Sequence, residues 1–354
     1  MWNDTEVSRT LGLRYPIVQG PFGGGVSSVE LLATVSNAGG LGSFGAHHLS
    51  PPQIEELFAQ IRRQTDQPFA INLWVSDHDP GGFAPGQEAY HRSLKRLRPY
   101  FQELGVAEPS YPDRFGQRFD EQVEALLRLK PPAFSFVYGI PSEEILKECR
   151  QQRIVTIGTA ITLDEAMALD GAGVDLIVAS GFEAGGHRVA FLREAEDSLI
   201  GTFSLIPQVV DHVKVPVIAA GGIADVRGLR AALALGAAGV QIGTAFLACE
   251  ESSANPLHKA KLFSPEARYT ALSRAFTGRL ARGIENRLMR EMGPHSADFC
   301  PYPAQSWLLQ QLKPAMLAQG RDDLMALWAG QSASLLHHRK AEELMKELVE
   351  GMKA

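Results

Sequence analysis

No apolar run in the chain approaches the roughly 20 residues that a membrane-spanning helix needs, so no membrane association is expected. The opening residues Met1-Trp2-Asn3-Asp4 also lack the basic and apolar regions of a signal peptide, and the expected location is cytoplasmic. Basic charge is not in excess: 34 Lys and Arg stand against 40 Asp and Glu, a formal charge of -6. Nucleic acid, which needs a positive field, is therefore not an expected partner. Cysteine is scarce, and Cys149, Cys249 and Cys300 are far apart with no C-x-x-C pair among them. That excludes a disulfide framework and a cysteine zinc site, and leaves three buried thiols. An acidic surface without a marked apolar patch leaves monomer and homodimer both open.

What is present is apolar content of 45% over 354 residues, enough for a full core, and a stretch from Val215 to Phe246 with a clear order. It reads as a short apolar run, a glycine pair, an amphipathic helix and a second apolar run, the βαβ unit of a parallel sheet. Both runs are continuously apolar, as suits strands covered on two faces. Each ends in small residues, Gly221-Gly222 after the first and Gly243-Thr244 after the second. Glycine lets a backbone approach an anion closely, and in an α/β barrel the loops after strands seven and eight are the usual phosphate site.

The rest of the chain keeps the same rhythm. Strands are expected at 16–21, 41–46, 69–75, 133–138, 154–159 and 174–179, with helices at 29–38, 52–65, 117–129, 142–151, 163–171 and 203–213 between and after them. Eight strands alternating with helices indicate a (β/α)8 TIM barrel over residues 1–255. One excursion, 76–115, breaks the rhythm after strand three and holds a helix near 88–104. Residues 256–319, without βα periodicity, are expected to form a smaller, mainly helical lid subdomain. Helices at 322–337 and 341–352 are expected to pack back on the barrel. A doubly wound open sheet competes, and Gly40 to Gly45 (G-L-G-S-F-G) matches its dinucleotide fingerprint. Here, however, the motif follows a helix and lies in the strand itself, which is the wrong context.

Candidate chemistry concentrates after strand six, in Ser180-Gly-Phe-Glu-Ala-Gly-Gly-His187-Arg188. One histidine among small residues at the carboxyl end of a barrel strand can remove a proton or pair with an anion near neutral pH. Glu183 either orients it or caps the turn. Arg188 either holds a carboxylate or is solvated. Asn72, polar in an apolar strand, must be paired in the core or face a ligand. Asp225 suits a helix N-cap. His47-His48 is read as two side chains that point apart, without a shared metal, and His337-His338 falls in an expected surface helix and has no assigned role. No metal site is expected.

Taken together, Gln19-Gly20-Pro21-Phe-Gly-Gly, Asn37-Ala-Gly-Gly-Leu-Gly, Asn72, Glu183-Ala-Gly185-Gly186-His187-Arg188, Ala220-Gly221-Gly222-Ile and Gln241-Ile-Gly243-Thr244-Ala-Phe resemble the nitronate monooxygenase family. Ser135-Phe-Val-Tyr-Gly and Ala281-Arg-Gly-Ile-Glu-Asn extend the resemblance over nearly the whole chain. It implies an FMN-dependent barrel enzyme, with the phosphate site above serving the flavin. FMN is then expected to meet Gln19, Gly20, Pro21, Asn72, Ser180, Gly185, Gly186, Gly221, Gly222, Gln241, Gly243 and Thr244, and His187 matches the catalytic histidine. Tyr111, Arg188 and Tyr302 are weaker candidates for the substrate rim. In place of a frequent glutamine the chain has Ser180, and Val189-Ala190-Phe191 stands where glycine is usual.

The implied reaction is oxidation of an anionic alkyl nitronate, such as propionate 3-nitronate, with dioxygen to a carbonyl compound and nitrite. The alternative is a flavin reductase using NAD(P)H on a quinone or an enoyl thioester, similar to FabK. A flavin-binding protein without catalysis is the third class.

Overall fold

The apolar runs become strands buried on both faces. In the computed structural model, which describes residues 1–75 and 85–353, these are β1 Ile17–Gln19, β2 Gly42–Gly45, β3 Phe69–Trp74, β4 Ala133–Val137, β5 Val155–Ala160 and β6 Leu176–Ser180, then β8 Val217–Ala220 and β9 Gly239–Ile242. All eight pair in parallel in the order β1-β9-β8-β6-β5-β4-β3-β2. A bridge from Val18 to Leu41 brings the two ends together, so the sheet closes into the expected barrel.

Period-two alternation divides each strand between two apolar layers. Val18, Ala70, Ile157, Val178 and Ile218 fill the interior with Val7 and Leu11 of the N-terminal helix Glu6–Leu11. Ile71, Phe134, Ile177 and Val240 face the surrounding helices. Register then sets the site, because Asn72 stands beside Gly45 and Ser135, and Ala220 beside Ser180 and Gln241, at the carboxyl ends of their strands.

The glycines of the 40–45 motif serve packing. A Cβ on Gly42 would lie 2.1 Å from the Leu32 carbonyl oxygen, and one on Gly45 would lie 2.2 Å from that of Phe22. Only glycine lets helix Val29–Asn37 and the β1 loop pass so close to β2.

One expectation about the later chain is corrected. Residues 256–319 hold helices Pro256–Leu262, Arg287–Met292 and Ala304–Ala318, and between the first two runs an antiparallel pair that the sequence did not show, β10 Thr270–Ser273 and β11 Ala281–Ile284. β11 also pairs with β7, Gly186–His187, so this small sheet grips the histidine loop. Residues 322–337, expected as a helix, are not one. They form two 3₁₀ turns, Asp322–Leu324 and Ala333–Leu335, flanking an open segment in which Trp328 bridges to Gly283 and Gly330 N–H donates to Thr244 Oγ1 at 2.9 Å. Pairing with glycine-rich backbone wins there over an amphipathic sequence.

Helix Gln87–Glu103 of the excursion shares an apolar cluster with Ala304–Ala318, through Leu94, Leu97, Leu308 and Leu312. The first part of the excursion, 76–84, lies outside the described residues. The last helix, Ala341–Gly351, enters the barrel's outer layer through Leu344, Met345 and Leu348. Among the described residues, no helix is long and apolar enough to cross a membrane. All three cysteines are buried free thiols.

Candidate active site at the barrel mouth

The carboxyl ends of the strands open into a cavity of about 280 Å³. Asn72, Thr159, Ser180, Ala220 and Gln241 border it from the barrel, while Phe276, Leu309, Lys313, Met316 and Trp328 border it from the later chain. Gly20 and Pro21 line it after β1, Gly185, Gly186 and His187 after β6, Gly221 and Gly222 after β8, and Gly243 and Thr244 after β9. Tyr302 also lines it.

Three residues singled out in the sequence are not among the lining residues. Gln19 is fully buried, accepting from Ser43 N–H at 2.9 Å, and joins the β1 and β2 ends. Tyr111 packs edge-on to Tyr90 and Phe115 in the helical cluster. Arg188 is 1% exposed, and its guanidinium donates to the carbonyls of Ser180 (3.2 Å), Gly181 (2.6 Å) and Ser198 (3.0 Å). It ties down the loop before His187.

Polar residues near the glycines are already engaged. Glu183 accepts from Thr202 N–H and from Thr202 Oγ1, both at 2.8 Å, so it caps helix Thr202–Val210. Asp225 caps Val226–Ala234 through the N–H groups of Arg227 and Gly228. Asn72 satisfies both readings of its sequence, because Nδ2 donates to Ser135 Oγ at 3.0 Å while the residue lines the cavity.

His187 sits in an aromatic box, with ring centroids of Trp74 at 5.1 Å and Trp328 at 5.3 Å. Its Nε2 lies 2.9 Å from Thr277 Oγ1. That hydroxyl also lies 3.2 Å from the Arg279 carbonyl, an arrangement that suits a hydroxyl donating to the carbonyl and accepting from His187 Nε2, with the lone pair then on Nδ1. Burial, with the positive Arg279 nearby, pushes the His187 pKa down to about 3. The ring is neutral at physiological pH. The Arg279 guanidinium stands 3.5 Å from the Tyr138 ring centroid and 4.3 Å from that of Tyr302.

Several lining residues carry weak or no sequence signal. Trp74 was not singled out, although it shares the period-two face of Asn72, a signal that could have found it. His47 stacks on Trp74 with centroids 3.8 Å apart and borders the cavity, while His48 is exposed. Thr277 and His258 of the lining, and Arg279 against Tyr138 and Tyr302, come from the aperiodic region and become visible only in the fold.

Buried histidines make stability depend on pH. His258 is 1% exposed, its Nε2 donates to the Trp328 carbonyl at 2.9 Å, and burial pushes its pKa down to about 4. His47 is also held below the ordinary value, chiefly by burial. An unfolded chain takes up these protons near pH 6.5 and the folded chain does not, so the unfolded state binds more protons below that pH. Stability is expected to fall as pH drops from about 6.5 towards 4, by about 1.4 kcal/mol per unit for His258. Contributions from His47 and His187 are smaller than their shifts suggest, because they border the cavity. Urea unfolding at pH 7.5 and 5.5 checks this, and equal stability at both would refute it.

The whole chain matches known proteins. The nitronate monooxygenase family model covers residues 5–351. The chain belongs to the nitronate monooxygenase family. A Staphylococcus haemolyticus (strain JCSC1435) protein named as a probable nitronate monooxygenase is 39% identical over 355 residues, covering 100% of this chain and 98% of that one. Its namesake in Staphylococcus aureus (strain MRSA252) is 38% identical, covering 99% and 97%. Among solved structures, a nitroalkane oxidase from Streptomyces ansochromogenes superposes with a TM-score of 0.89 at 35% identity, covering 98% of this chain and 99% of that one. FabK from Thermotoga maritima gives 0.76 at 27%, covering 99% and 96%. Membership in the nitronate monooxygenase family makes the chain an oxidoreductase that acts on nitro compounds.

Proposed function

We propose that the chain binds FMN at the barrel mouth and oxidises alkyl nitronates with dioxygen, giving a carbonyl compound and nitrite. The observation that carries this reading is a neutral histidine in an aromatic box beside three glycine loops at the ends of β6, β8 and β9.

The glycine loops fit a phosphate-bearing cofactor. Among the described residues, the N–H groups of Gly222, Gly243 and Thr244 donate to no acceptor. Gly222 has φ +73° and Gly186 φ +77°, and a Cβ on Gly186 would project into open space. The Glu183 carboxylate nearby is held by Thr202. These loops would hold the phosphate, and Asn72, Ser180 and Gln241 the polar edge of the ring system. The bound flavin would supply the electron acceptor that links the nitronate to dioxygen.

A nitronate is already a carbanion equivalent, so the protein has little proton chemistry to do on it. The aromatic walls of Trp74 and Trp328 exclude water from an anion held beside His187. For a neutral nitroalkane, His187 Nδ1 is the acceptor for the α-proton.

Alanine at Gly222 is expected to weaken flavin binding by roughly tenfold, through a strained left-handed backbone beside the phosphate. Its Cβ meets Glu183 Cβ at 3.4 Å, an ordinary contact, so the fold persists. Equilibrium titration with FMN reads the change, and unaltered affinity would move the phosphate elsewhere.

The likeness to FabK supports a second reading, an NAD(P)H-dependent flavin reductase. One experiment separates the two: purified protein is given propionate 3-nitronate in air without NAD(P)H while oxygen and the visible spectrum are followed. Flavin bands with oxygen uptake and nitrite release are expected. Flavin bands bleached by NADH, with no uptake, would select the reductase, and a colourless protein that takes up no FMN would sink both.

A further inference from the structure

Away from the cavity, the loop entering the last helix brings two adjacent histidines onto one carboxylate. His337 and His338 follow the 3₁₀ turn Ala333–Leu335, and Glu347 lies in helix Ala341–Gly351. His337 Nε2 stands 2.8 Å from Glu347 Oε2, and His338 Nε2 contacts the same oxygen. Side chains of neighbouring residues in regular chain diverge. Here the backbone turns between the 3₁₀ turn and the helix, and the two rings come to 4.2 Å between centroids.

We propose that His337, His338 and Glu347 bind one divalent transition-metal ion of the zinc class, with water completing the coordination. One ligand atom from each residue can be chosen so that all lie within 4.8 Å of one another, and this is the one group of three such side chains among the described residues. Metal–ligand bonds of roughly 2.0–2.2 Å require separations of roughly 3.4 Å in a tetrahedral site, so small rotations suffice. Two imidazoles and a carboxylate suit zinc, nickel, cobalt or copper, whereas magnesium and calcium take all-oxygen sets.

An outer contact already orients one ligand. His337 Nδ1 lies 3.1 Å from the Leu335 carbonyl, which leaves Nε2 as the ligand atom, while Glu343 Oε2 stands 4.0 Å from His338 Nδ1, beyond hydrogen-bond reach. The position gives the ion a structural role. The two histidines lie a few residues beyond Gly330 and Ser332 of the cavity wall, and Glu347 lies on the helix that enters the barrel's outer layer. A bound ion ties that wall segment to the barrel.

The test uses tag-free, EDTA-treated full-length protein titrated with zinc chloride by calorimetry, and with cobalt chloride by visible absorption. One equivalent is expected to bind, with the intense d–d bands of tetrahedral cobalt and a zinc-dependent rise in the unfolding midpoint. His338→Ala and Glu347→Gln, each removing a direct ligand, are expected to lose more affinity than the roughly 10- to 100-fold that an outer partner costs, together with the zinc-dependent rise. Turnover is expected to persist in both, since neither residue borders the cavity, and activity also reports that the variants fold. No stoichiometric binding to the wild type would overturn the proposal. So would binding that survives both substitutions, which would place the ion elsewhere, for example at His47 and His48.

Discussion

His187→Asn is expected to slow oxidation of a neutral nitroalkane by roughly 10²- to 10⁴-fold, the usual range for losing a positioned general base. With a preformed nitronate the loss should be much smaller. The asymmetry follows from the proton inventory: a nitroalkane must surrender its α-proton, which on the proposed reading passes to Nδ1 of a neutral His187, whereas a nitronate has none to surrender. Asparagine keeps a donor towards Thr277 and similar bulk, so the Trp74 and Trp328 walls stay in place. A pKa near 3 adds a second signature, because the base is already free at pH 5, and kcat on the nitroalkane should show no acid limb near 6.5. Rates for both substrate forms, measured on wild type and variant across pH 5 to 8, decide the matter. Equal losses on both forms would instead make His187 a binding group for the nitro function, and an unchanged variant would remove it from the chemistry.

The barrel was legible because each of its strands is a short apolar run bounded by glycine or a helix signal, and closure needs no more than that rhythm. Asn72 stood out for a local reason, a polar side chain in an apolar run, and Trp74 shared its face two residues on. The Gly40–Gly45 hexapeptide shows how a motif can be matched for another cause, since Gly42 and Gly45 are required by backbone carbonyls of Leu32 and Phe22. The far wall was not legible. β10 and β11 owe their strand conformation to β7 and to each other, partners distant in sequence, and Thr277 and Arg279 ride on the turn between them. His337 and His338 converge for a similar reason, a backbone turn that an amphipathic pattern conceals.

Arg188 is where the sequence offered a carboxylate-binding or a solvated arginine and the fold shows a buried one outside the cavity lining, and its replacement gives the largest expected loss of stability. Arg188→Met is expected to cost about 3 kcal/mol, because it removes the guanidinium donor from the carbonyls of Ser180, Gly181 and Ser198 in a buried place. Two effects oppose each other here. Burial, with Arg282 nearby, lowers the Arg188 pKa to about 10, so removing the charge relieves part of a desolvation cost. The lost bonds to three buried carbonyls, of which Gly181 keeps a second donor in the Ala184 N–H, outweigh that relief. The opposite edge of the same loop is held by Glu165, which accepts from Phe191 N–H at 2.7 Å and Leu192 N–H at 3.3 Å, and this carboxylate would lose its nearest positive charge as well. Lysine should rescue little, since one ammonium cannot reproduce a planar fork across separated carbonyls. Because Arg188 does not line the cavity, KM for a nitronate should stay near the wild-type value in the protein that remains folded, while kcat falls as the loop carrying His187 loosens. Denaturant unfolding and steady-state kinetics on both variants test this. Wild-type stability with a sharply raised KM would show instead that the guanidinium reaches the substrate, and would return Arg188 to the rim where the sequence alone had placed it.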